Sequence, residues 1–165
     1  MFSYRALNFY GLVVCIASLI FAIFYLERTL FLDPCPLCIL DRLVIILLGI
    51  VFLIALVHNP RLLLAKIYGL FLIIFCSMGI GLASRHIWLQ NLPKEKVPEC
   101  GADLYFMLET LPFFDAIQKA LSGSGSCADV SWTFAGLAIP EQTLILFVGL
   151  LIISVVQTVR PRRSI

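Results

Sequence analysis

Four apolar stretches decide what this chain can become. They run over about 8–26, 39–57, 62–83 and 143–159, each close to the roughly 20 residues a helix needs to cross a bilayer. Within the second, Asp41 and Arg42 are the only charges, and both stand in its first turn. Composition agrees: 61% of the 165 residues are apolar and 13% charged, against about 45–50% and about 25% in soluble domains. A water-soluble domain is excluded. So is a disordered chain, which needs low hydrophobicity and high charge. Twelve Lys and Arg spread along so apolar a chain make no nucleic-acid surface, and no repeat signals an array. Arg5 precedes the first stretch as in a signal peptide, but Glu27-Arg28-Thr29-Leu30 after it offers no small-x-small cleavage site. That stretch is expected to stay as a span.

Orientation follows from where Lys and Arg fall near the span ends. Arg5, Arg61, Lys66, Arg160, Arg162 and Arg163 flank the termini and the short turn at 57–62, while the connection at 85–141 has four basic residues against seven acidic ones. Both termini should therefore face the cytoplasm, and the connections at about 27–38 and 84–142 should face outward. Residues 1–165 are expected to form one all-α integral membrane domain, a four-helix up-down bundle. Ser77 and Gly81, four apart on the third span, suggest a close helix approach. Tyr25, Trp88 and Trp132 suit the outer interface. In the long loop Phe113, Phe114, Ile117 and Leu121 make a helical stripe, expected to lie as a short helix on the membrane surface.

The six cysteines sort by compartment. Cys15 and Cys76 fall inside spans and read as packing residues. Cys35, Cys38, Cys100 and Cys127 fall in the outward connections, where disulfides persist. Two pairs on separate loops suggest a relay. In Pro34-Cys35-Pro36-Leu37-Cys38, Pro36 fits the first helical position, making Cys35 the N-cap and Cys38 the third helical residue. Positive charge at the helix N-terminus favours thiolate over thiol, and Cys35 should be the more exposed of the two. Arg42 lies on the face of Cys38, about 6 Å further in, and needs a partner there: a thiolate, a ligand's polar head group, or lipid phosphate. Cys100 follows Pro98-Glu99, and Cys127 follows a flexible Ser-Gly run, so the second pair reads as loose. Zinc on the four cysteines is disfavoured, because the second pair lacks C-x-x-C spacing; no metal is expected.

Disulfide exchange only moves a disulfide, and the electrons need a final acceptor. The chain has no Gly-rich dinucleotide fingerprint and no C-x-x-C-H haem site. An apolar acceptor dissolved in the bilayer, a lipid quinone, would meet Cys38 at the membrane surface. Physics does not choose between ubiquinone and menaquinone.

The chain resembles the bacterial disulfide bond formation protein B (DsbB) family over nearly its whole length. The likeness rests on four spans, Pro34-Cys35-x-x-Cys38-Ile39-x-x-Arg42, the loop with Cys100 and Cys127-Ala128, and Trp132-x-Phe134-x-Gly136-Leu137 before span four. It implies an inner-membrane thiol:quinone oxidoreductase that reoxidises a periplasmic thioredoxin-fold oxidase, DsbA or a relative. It maps the quinone-side pair to Cys35 and Cys38 and the partner-facing pair to Cys100 and Cys127, with Arg42 and His86 at the quinone. Pro36-Leu37 inside the C-x-x-C departs from the family pattern and bears on the redox poise of the pair. Two other readings remain: a vitamin K epoxide reductase-like enzyme, disfavoured because its C-x-x-C sits late in the chain, and a non-enzymatic protein with two structural disulfides.

Overall fold

Each apolar stretch is helical in the computed structural model, and each helix stops where a residue can no longer serve one. The structure describes residues 3–32, 34–60, 62–93, 125–128, 132–134 and 136–159, with the single positions 112, 115 and 118. Helix α1 spans Tyr4–Ile20 and runs without a break into a π-helical stretch, Phe21–Thr29. Helix α2 spans Pro36–His58, α3 Leu62–Gln90, and α5 Ile139–Val159, with a single helical turn, α4, at Gly125–Ala128. Between α4 and α5 a two-residue pair of strands, β1 (Thr133–Phe134) and β2 (Leu137–Ala138), folds back antiparallel around Gly136 at φ +80, a backbone region that glycine enters freely.

The four long helices are long and apolar enough to cross a membrane. They alternate in direction. The end of the π-helical stretch, the start of α2, the end of α3 and the start of α5 meet around one cavity. Helix α3 packs on α5 and on α2, and α2 packs on α1. Their shared core holds Cys15, Leu48, Phe52, Leu72, Cys76 and Phe147, so the two membrane cysteines do pack as small apolar residues. Exposed Phe9, Ile16, Leu53, Phe71 and Ile152 cover the outside, the belt a bundle presents to lipid.

Helix ends differ from the sequence reading where that reading stopped at the first charge. Helix α3 continues past 83 to Gln90, because nothing before Pro93 breaks it and Arg85 lies over the Trp88 ring, 5.6 Å from its centre, a cation–π contact. His86 is thus a helical residue. Helix α5 begins at Ile139 with Pro140 next, where a missing N–H is harmless. Helix α2 ends at Asn59, in the left-handed region with φ 41, whose N–H reaches Ala55 O. The surface stripe Phe113, Phe114, Ile117 and Leu121 lies outside the described residues, as do Cys100, Arg61, Arg160, Arg162 and Arg163.

The close helix approach is not at Ser77 and Gly81. Both face outward, and a Cβ on Gly81 would meet nothing within 4 Å. Gly79 is the buried one, where a Cβ would lie 2.5 Å from the Phe147 ring; Gly11 does the same for Phe52 at 2.6 Å. A spacing of four marks a stripe, but two residues along it the helix has turned about 200° to its other side. Phe147 is fully buried, so its ring has little room to yield. Gly79→Ala should therefore lower stability in detergent by about 1–3 kcal/mol, and Gly81→Ala by less than about 0.5 kcal/mol. Thermal unfolding of both variants checks this; equal losses would contradict the assigned interface.

Candidate active site

Pro36 starts α2, and Cys35 caps it in extended conformation, φ −68 and ψ 160. The Cys38 N–H donates to Cys35 Sγ at 3.4 Å, and the two sulfurs lie 3.2 Å apart as a dithiol. A disulfide needs only a small closure from there. The expected exposure is reversed: Cys35 is buried, 9% exposed, and Cys38 is half-buried. The reason is Cys127. The short α4 turn carries it onto Cys35, where it is fully buried with Leu37 and Leu89. A residue expected on a loose tether is thus docked against the C-x-x-C pair.

This docking sets the chemistry of Cys35. Its hydrogen bond with Cys127 pulls the Cys35 thiol down. The hydrogen bond with Cys38, burial and the charge of Cys38 outweigh that, and the thiol is pushed up to about 12. The positive helix end that was expected to favour a thiolate does not prevail at this position. A thiol held so high is a poor leaving group in exchange. Attack on Cys35, with departure of Cys38, avoids expelling it.

His86 is buried on α3 with Nε2 3.8 Å from Cys35 Sγ. The donor atoms of Cys35, His86 and Cys127 all lie within 4.8 Å of one another. Next to them is a cavity of about 320 Å³ that all four long helices line. Phe21, Leu26, Ile45 and Leu146 give it apolar walls, and Cys38, Asp41, Arg42 and Gln90 give it polar points. Trp132 closes one side and stacks on Phe134 and edge-on to Tyr25, with ring centres 6.0 Å apart in each case.

Arg42 lines this cavity, and its partner is Glu27, to which Nη1 donates. Neither a thiolate nor a lipid phosphate is needed to explain its place. Glu27 stands at the end of the π-helical stretch, fifteen residues earlier. In the sequence Glu27 drew notice only as part of a segment without a cleavage site, although a lone Arg one turn inside a span demands an acidic group at a neighbouring span end. Asp41 and Trp132 were likewise read without a role at the site. Four of the six expected site residues, Cys35, Cys38, Arg42 and His86, surround or line one cavity, with Cys127 behind Cys35. Cys100 is outside the described residues.

Residues 4–157 match the family model described as Disulfide bond formation protein DsbB. Curated proteins called Disulfide bond formation protein B are similar along almost the whole chain. The one from Saccharophagus degradans is 45% identical over 158 residues, 96% of this chain and 95% of its own length. Those from a Psychrobacter species and Nitrosococcus oceani are 42% and 43% identical, covering 93% and 94% of this chain and 91% of their own lengths.

The raised Cys35 thiol has a measurable consequence. Alkylation needs the thiolate, so in the dithiol form its rate at Cys35 should climb about tenfold per pH unit to beyond about pH 10, where an ordinary thiol near 8.5 has levelled off. Peptide mass spectrometry after timed iodoacetamide exposure gives the profile. A plateau below about pH 10 would contradict the environment described for Cys35.

Proposed function

This chain belongs to the DsbB family of disulfide bond formation proteins, and on that premise we propose that it is a membrane thiol:quinone oxidoreductase that reoxidises a periplasmic DsbA-like dithiol oxidase. The observation that carries this reading is Cys127 packed on Cys35, with Cys38 facing a cavity at the outer end of the bundle. A disulfide relay needs that order of sulfurs, and a membrane-soluble acceptor needs a cavity at that level. The charge asymmetry of the loops supports an inner-membrane protein with both termini cytoplasmic.

The residues lining the cavity fit a quinone: apolar walls for the ring, and few convergent polar groups for its oxygens. Arg42 and His86 would hold it, and when bound it would take up the electron pair. The rest is done by this chain. A client thiolate attacks Cys100 of a Cys100–Cys127 disulfide and frees Cys127. The client's second thiol resolves the mixed disulfide and frees Cys100, while Cys127 attacks Cys35 of the Cys35–Cys38 disulfide and Cys38 leaves with the electron pair beside the cavity. Cys100 then attacks Cys127, which restores the Cys100–Cys127 disulfide and returns Cys35 as a thiol with a proton from water. The high Cys35 thiol favours this direction, since attack at Cys38 would have to expel Cys35. Arg42 places positive charge where negative charge develops.

A second reading has one observation in its favour. Cys35, His86 and Cys127 form a donor set of the kind that zinc takes, and a structural ion there would arrest the relay. Metal analysis of the purified protein separates the two: one tightly held zinc per chain would favour it.

Turnover of a dithiol client, run with ubiquinone and menaquinone in parallel, tests the main reading. Oxidation should require a quinone. It should stop in Cys35→Ser and Cys38→Ser, and stay within a few-fold of wild type in Cys15→Ala with Cys76→Ala. Cys127→Ser leaves Cys100 as a lone thiol, and offered the disulfide form of the client it should accumulate a mixed disulfide at Cys100. Client trapped at Cys35 instead would overturn the order of the relay, and quinone-independent turnover would overturn the activity.

A further inference from the structure

One ionisable group at the site has no task. Asp41 follows Cys38 by three residues on α2, which sets it on nearly the same face about one turn further in. Only 5% of its surface is exposed, and Oδ1 has no hydrogen-bond partner among the described residues. The neighbouring guanidinium of Arg42 is turned to Glu27 instead. Asp41 lines the same cavity as Cys35, Cys38 and His86.

Structural carboxyls in apolar surroundings are hydrogen-bonded or ion-paired. One left without a partner in a membrane helix is a group that carries a proton or binds something. The thiol:quinone reaction has a proton problem at this place. Two thiols and a quinone become a disulfide and a quinol, so two electrons and two protons pass from sulfur to oxygen. The cysteines account for the electrons. They do not by themselves account for moving protons inside a largely apolar cavity.

We propose that Asp41 is the proton carrier between the cysteine pair and the quinone. The inference rests on the thiol:quinone reading. Asp41 gives its proton to a quinone oxygen as the electron pair arrives from Cys38. It regains one from the Cys35 thiol as the Cys35–Cys38 disulfide closes. The Cys38 proton leaves to the aqueous side, and the second oxygen takes one from there, so both thiol protons are matched by the two on the quinol. Glu27, paired with Arg42, is not free for this work, and His86 is directed at Cys35 through Nε2.

Two measurements test it. Dicyclohexylcarbodiimide, an apolar reagent for carboxyls that carry a proton, should modify Asp41 in the purified, reduced, quinone-free protein at least about tenfold faster than Glu27. Peptide mass spectrometry locates the adduct, which should vanish in Asp41→Asn. Separately, Asp41→Asn should slow quinone reduction by about 10²–10⁴-fold, the range of general acid–base catalysis. Single-turnover oxidation of the dithiol client without added quinone should change by less than about threefold, and Asp41→Glu should restore much of the lost rate. A merely structural role would move both half-reactions together. No adduct at Asp41, or quinone reduction at the wild-type rate in Asp41→Asn, would overturn the assignment. Failure of the wild-type protein to oxidise the client at all would instead overturn the relay on which it rests.

Discussion

A peptide group inside a bilayer has no water to turn to, so its hydrogen bonds must close within the helix that carries it. Most of this structure follows from that demand. The residues that lack an N–H to obey it, Pro34, Pro36, Pro60, Pro93 and Pro140, stand in the first turn of a helix or beyond helix ends. Asp41, Arg42, His86 and Gln90 collect at one level, where the first helix ends, α2 begins, α3 ends and α5 begins, while Asn8, Ser154 and Gln157 are buried toward the other end of the bundle.

Within it, the two cysteines of the C-x-x-C motif divide their work through burial. Cys35 is enclosed between Cys127 and Cys38 and keeps its proton, while Cys38 stands half-buried at the cavity wall. A pair of equal thiols would exchange in either sense. Unequal ones give the exchange a direction, and here the inequality comes from a loop residue docking on a helix cap rather than from the helix itself.

The start of α2 was legible because Pro36 leaves few choices: its fixed φ and missing N–H place it at the first helical position and make Cys35 the cap. The four spans were legible from length and apolarity, and the packing of Cys15 and Cys76 from their place inside spans. What escaped is what depends on rotation about a helix axis or on distance along the chain. Choosing Gly79 over Gly81 requires knowing which side of α3 meets Phe147. Pairing Arg42 with Glu27 requires the π-helical stretch, for which no residue in Phe21–Thr29 gives a local signal. The burial of Cys127 could not be read from the flexible run before it, because its position comes from contact with Cys35, Leu37 and Leu89. Asp41 looked like a first-turn acid at a span edge; with Arg42 turned toward Glu27, its Oδ1 has no hydrogen-bond partner among the described residues.

The π-helical stretch has a consequence for how this protein can vary. Such a segment holds an extra residue per wide turn, so it acts as slack in the winding of the first helix. Loss of one residue there would let a wide turn rewind to an α-helical one, with the residues beyond it facing much as before. Loss of one from the α-helical part of the span would instead swing them by about 100°, the angle of one α-helical residue. Phe21 and Tyr25 hold Trp132, and Glu27 near the end of the stretch holds Arg42. Single-residue length variation in relatives should thus collect within Phe21–Thr29, where the winding absorbs it and keeps the acid aligned with the arginine.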